Sequence, residues 1–181
     1  GFSAAAAGTL LTSEARAAGP QKGGTIKIGA QGGSTTDSLD PALVTNQVGQ
    51  LVTRMWGEPL VELSDDGGLE GKVAESYEAS ADAKTWTFKL RSGITFSNGK
   101  SVTAQDVVET MDRHSGEDTK SGALGIMRGI TNVRADGDNV VFELDSPNAD
   151  LPYLLADYHL IIQPDGGEQQ VIARTNYNTM Y

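Results

Sequence analysis

Apolar and polar residues alternate at Thr25-Ile26-Lys27-Ile28, the period of a half-buried strand, and this predicts a first strand. A polar stretch follows, Gly32-Gly33-Ser34-Thr35-Thr36-Asp37-Ser38, with the composition of a turn and no hydrophobic period. Over residues 46–56 the period becomes helical: Val48, Leu51, Val52 and Met55 fall at i, i+3, i+4 and i+7 and draw one stripe, with Asn46 as the N-cap. Glu58-Pro59 ends that helix, and Leu60-Val61-Glu62-Leu63 reads as a short strand closed by the turn Asp65-Asp66-Gly67-Gly68.

Alternation returns in Thr85-Trp86-Thr87-Phe88-Lys89-Leu90-Arg91, which places Trp86, Phe88 and Leu90 on one face of a strand, as core. After the Asn98-Gly99 turn, Thr103-Ala104-Gln105-Asp106 has the spacing of a cap whose hydroxyl accepts from the N–H near Asp106, opening a helix to about Arg113. Residues 131–144 read as a hairpin turning at Asp136-Gly137-Asp138. Leu151, Leu154 and Leu155 predict a short helix after Pro147, and Leu160-Ile161-Ile162 an apolar strand.

A chain of 181 residues, 38% hydrophobic, is long enough for one domain with a real core. Its net charge of -10 makes nucleic acid an unsuitable partner. With no cysteine there is no disulfide, thiolate metal site, cysteine nucleophile or lipid-modified cysteine. His114 and His159 lack a partner at metal-motif spacing and are expected at the surface or its boundary. Gly29-Ala30-Gln31-Gly32-Gly33 lacks the Gly-Lys-Ser/Thr of a phosphate loop, and Asp65, Asp66, Asp136 and Asp138 are explained as turn residues. No catalytic residue and no metal site is assigned.

Residues 1–17 are rich in Ala, Gly and Leu and end in a small-x-small pattern, the back end of an export signal with cleavage expected after Ala17. Residues 18–24 read as a linker, 25–167 as the folded unit, and 168–181 as a weakly patterned tail expected to pack poorly. No later run approaches the ~18 apolar residues that span a bilayer, so the exported product is expected in the periplasm without an anchor.

Four segments in order resemble the family-5 extracytoplasmic solute-binding proteins of ABC importers, the peptide, nickel and opine class. They are Ser38-Leu39-Asp40-Pro41-Ala42, Glu58-Pro59-Leu60-Val61, Val73-Ala74-Glu75-Ser76-Tyr77, and a long stretch over residues 84–108. The last includes Ile94-Thr95-Phe96-Ser97-Asn98-Gly99-Lys100 and Val102-Thr103-Ala104-Gln105-Asp106-Val107-Val108. The resemblance covers about residues 24–164 and implies a mixed α/β, periplasmic-binding-protein-like fold of the class with an extra subdomain in its first lobe. Residues 85–144 would build much of that subdomain. After residue 167 the family's crossover and second lobe do not follow, so the resemblance implies a chain truncated to most of the first lobe.

By that likeness the protein is a carrier, not an enzyme, a monomer that needs no cofactor and hands a small polar solute, a peptide or chelate, to ABC permease subunits in the inner membrane. The family's cleft is lined by the loop after the first strand, which implies Ser34, Thr35 and Thr36 as ligand contacts, with Gln47 and Gln50 as further candidates. Two roles stay open for these hydroxyls, ligand contact or closure of a turn. An exported sensor or peptide-holding chaperone on the same scaffold is the alternative function, and an exported hydrolase a more distant one.

Overall fold

The computed structural model describes residues 23–167; the expected export signal and the tail lie outside them, as does most of the linker. A 3-10 turn, Pro41–Leu43, precedes helix α1 (Gln47–Trp56). Strands β1 (Val61–Leu63) and β2 (Leu69–Gly71) form a small antiparallel pair. Strands β3 (Ala74–Ala79) and β4 (Thr85–Leu90) lead to helix α2 (Ala104–Ser115) and the short helix α3 (Leu124–Met127). The hairpin β5 (Ile130–Asp136) and β6 (Asn139–Leu144) follows, then α4 (Leu151–Leu154) and a closing 3-10 turn, Pro164–Gly167.

The main sheet has the order β3-β4-β6-β5, antiparallel throughout. Trp86 pairs with Phe142 and Phe88 with Val140, so the inward sets of β4 and β6 coincide and one sheet face is apolar. Phe88 is its centre, stacked on Tyr77 at 5.6 Å and meeting Phe142 edge-on at 5.3 Å between centroids. Val107 and Met111 of α2 belong to the same core. The hairpin turn is Gly137-Asp138, with Gly137 at φ 61°, a conformation that glycine adopts without a side-chain clash.

Helix α2 starts where the sequence places it and runs two residues past Arg113. Thr103 Oγ1 accepts from the Asp106 N–H at 3.3 Å while Asp106 Oδ2 accepts from the Thr103 N–H at 2.9 Å, a reciprocal capping box. Thr103→Ala is therefore expected to cost about 1 kcal/mol, read as a lower urea midpoint with an unchanged slope.

Three expectations fail. Residues 25–28 form no strand, and Ile26 and Ile28 stand exposed, because no segment among the described residues pairs with them. Leu160, Ile161 and Ile162 are fully buried but make no ladder; the Ile162 N–H donates to the Glu58 carbonyl at 3.0 Å, outside any strand. Helix α1 forms with its Asn46 cap, yet it buries Gly49, Thr53 and Trp56 and leaves Leu51 and Met55 of the predicted stripe exposed. Thr53 can face inward because its hydroxyl donates back to the Gly49 and Gln50 carbonyls.

Candidate functional site

The loop at residues 34–38 folds on itself. Asp37 Oδ2 accepts from the Ser34 N–H at 2.8 Å, and the Ser34 and Thr36 hydroxyls lie 3.0 Å apart. Asp37 Oδ1 accepts from Asn46 Nδ2 at 2.6 Å, while Asn46 Oδ1 caps Gly49 N–H at 3.0 Å. One aspartate thus ties the loop to the start of α1, a job that the sequence reading did not give it. An aspartate three residues after a serine at a polar turn was the available signal.

This latch shapes a hollow of about 230 Å³, lined by Ser34, Thr36, Asp37, Ser38, Asn46 and the segment at residues 43–45. Its rim is hydroxyl and amide, with capacity left over: each hydroxyl offers one donor and two acceptor positions, more than the internal bonds use. Thr35 is exposed and does not line the hollow. Gln47 and Gln50 line a different, more open depression of about 500 Å³ on another face of α1, together with Gly29, Ala30, Gln31, Leu51 and Arg54. The five sequence candidates are therefore split: Ser34 and Thr36 come together, and the glutamines stand apart from them.

The two histidines are both buried rather than at the surface, and His159 reaches the lining of the hollow at Val44. His114 shares the inner face of α2 with Val107, Thr110 and Met111, a spacing of seven, four and three that marks one helical stripe. Its Nδ1 lies 2.5 Å from Ser121 Oγ, and Nε2 has no hydrogen-bond partner among the described residues. Burial, joined by the charge of Arg113, pushes the His114 imidazole down to about 4 against weaker pulls from Asp40 and Asp157. At His159, Nδ1 lies 2.5 Å from Asp157 Oδ1 and Nε2 3.0 Å from the Val44 carbonyl. Burial alone would raise the Asp157 carboxyl, but the hydrogen bonds from the His159 ring and backbone N–H outweigh it and hold the group below the usual carboxylate range.

Among the described residues no three His, Cys, Asp or Glu side chains are placed to hold a metal ion, and no helix is long and apolar enough to cross a membrane.

Known proteins share this fold. The agropinic-acid complex of the binding protein AgaA from A. tumefaciens R10 superposes with a TM-score of 0.69 at 28% identity, over 76% of this chain and 28% of that one. The unliganded open form of the periplasmic murein tripeptide binding protein MppA gives 0.68 at 28% identity, over 74% and 29%. Among sequences, the glutathione-binding protein GsiB of Pectobacterium atrosepticum is 31% identical over 109 residues, 60% of this chain and 21% of that protein. The oligopeptide-binding protein OppA of Bacillus subtilis is 44% identical over 69 residues, 38% of this chain and 13% of its own length. The chain thus spans less than a third of the length of each of these relatives. The family model described as "Bacterial extracellular solute-binding proteins, family 5 Middle" matches residues 68–179, running past residue 164, where the motif resemblance ends. With more than half of its length inside that match and a mixed α/β fold shared with periplasmic binding proteins, the chain belongs to the bacterial extracellular solute-binding proteins of family 5.

Proposed function

We propose that this chain supplies part of the ligand-facing lobe of an exported, periplasmic carrier that delivers a small polar solute, a peptide or chelate, to ABC permease subunits. The observation that carries the proposal is the hydroxyl- and amide-lined hollow, set in a fold that matches ligand-binding proteins over three quarters of the chain. Ser34, Thr36 and Asn46 are its candidate contacts, and Thr35, Gln47 and Gln50 would meet only a ligand that extends beyond the hollow.

The chemistry suits binding rather than catalysis. Asp37, the carboxylate lining the hollow, spends both oxygens on the latch to Ser34 and Asn46 and faces no second carboxylate or imidazole there that would make an acid/base pair. The relatives named above bind agropinic acid, a murein tripeptide, glutathione and oligopeptides, solutes that share carboxylates and amides in an extended skeleton. Hydroxyls and amides recognise such groups without fixing one side chain.

Isothermal titration of the chain tests the proposal, with glutathione, agropinic acid and the nonapeptide RPPGFSPFR, the peptide in a complex of Haemophilus influenzae OppA, as probes. A two-lobed carrier buries its ligand between both halves. With the contacts of one lobe only, at least one of the three is expected to bind weakly, with Kd on the order of 1 mM. No saturable heat from any of the three overturns it.

A further inference from the structure

Besides Ser34 and Thr36, the hollow is lined by the end of a short strap, and three ties hold that strap to the rest of the fold at alternate residues. Asp40 takes the Arg113 guanidinium of α2. The Ala42 carbonyl accepts from the Gly122 N–H at 3.0 Å. The Val44 carbonyl accepts from His159 Nε2 at 3.0 Å, across 115 residues of sequence. The third tie is the one closest to the hollow, because Val44 lines it together with Leu43, Thr45 and Asn46.

The ring that makes this tie is held from several sides. A carbonyl only accepts, so Nε2 carries the hydrogen. Asp157 Oδ1 takes both Nδ1, at 2.5 Å, and the His159 backbone N–H, at 2.9 Å, which sets the angle of the ring. The Tyr158 ring lies 4.0 Å away between centroids. Gly122 gives the imidazole its space: a Cβ there would fall 2.3 Å from Nε2. Such a buried, oriented donor behind a binding wall is the arrangement that fixes the wall's position.

We propose that His159 is the positioning residue of the hollow, holding the wall at residues 43–46 at a fixed separation from Ser34 and Thr36 through its Nε2–H bond to the Val44 carbonyl. The proposal rests on reading the hollow as ligand-facing, but the tie can be tested without any ligand.

Two substitutions separate holding the wall from merely filling the core. In His159→Gln the amide nitrogen reaches the position of Nε2 and can still donate to Val44. In His159→Asn it reaches only the position of Nδ1, toward Asp157, and the buried carbonyl is left unpaired. Amide hydrogen exchange is followed at Leu43, Val44 and Gly49, whose N–H groups are bonded within the strap and its helix cap, and along β4. His159→Asn is expected to speed exchange by ~10-fold or more at those three amides with β4 unchanged, and His159→Gln to stay within ~3-fold of the parent. In the parent, the Nε2–H resonance of His159 persists in water.

Equal behaviour of the two variants, acceleration along β4 as well as the strap, or a missing Nε2–H resonance overturns the proposal. If glutathione binds the parent, its affinity falls ~10-fold in His159→Asn and is restored in His159→Gln. If no solute binds, the ligand-facing reading fails while the exchange pattern still decides the role of His159.

Discussion

Phe88→Ala is expected to remove about 3–5 kcal/mol of folding stability. Phe88 is fully buried at the centre of the apolar sheet face, against Tyr77 on β3, Trp86 on its own strand and Phe142 on β6. The rings of Tyr77, Trp86 and Phe142 around it are carried on paired strands, which limits how far they can close on the space, so the cost of a cavity adds to the lost transfer energy. Small domains are stable by only about 5–15 kcal/mol, so the loss is a large fraction of the total. Urea unfolding checks it, with Tyr77→Ala as the comparison. Tyr77 is 36% exposed on an edge strand and should cost clearly less. A Phe88→Ala loss below about 1 kcal/mol would mean that this face is not the core.

Acid should destabilise the fold through His114, and the sign follows from its neutral burial. The folded state resists charging the imidazole until about pH 4, whereas in the unfolded chain it takes up a proton at its ordinary value of 6.5. Between those values the unfolded chain binds more protons, so stability rises with pH. The contribution is complete above pH 6.5, is lost progressively as pH falls toward 4, and changes no further below that. Its size is about 3 kcal/mol. Asp157 acts in a lower window: its depressed carboxyl contributes above its ordinary value of 3.8 and loses that contribution as pH falls below it. Unfolding midpoints between pH 4 and 7, compared with His114→Leu, isolate the histidine. The variant is expected to lose most of the slope, and an unchanged slope would refute the assignment.

The parts of the fold that sequence made legible are those in which local chemistry and tertiary burial agree. Strand β4 alternates cleanly because one face is core, and α2 carries its start signal in Thr103 and Asp106. Strand β3 was missed because it is a polar edge strand, exposed at every position after Ala74, so it carries no period to read. The α1 stripe misled for the opposite reason: periodicity shows that a helix is amphipathic, but not which face finds a partner. Residues 25–28 repeat that lesson in a strand, since alternation cannot supply the neighbour that a ladder needs. His114 was readable in principle from its register with Val107 and Met111, but its polar type argued for the surface.

The candidate site was half legible. Ser34 and Thr36 were placed by motif resemblance and do line one hollow, while Gln47 and Gln50, three residues apart, turn to a different face of α1. Asp37 and Asn46 pair across nine residues and carried local signals as a turn aspartate and an N-cap, whereas the strap at Val44 is tied to His159 across 115 residues. No local pattern encodes such a pairing.

The central claim, that residues 34–46 form a ligand-facing wall, is tested most directly by residue-resolved amide shifts during titration with glutathione, agropinic acid and RPPGFSPFR in turn. The expected result is that the largest shifts fall at residues 34–38 and 43–46, with β3 and β5 at the sheet edges unmoved. Saturable shifts confined to the sheet edges, or none for any of the three solutes, would contradict it.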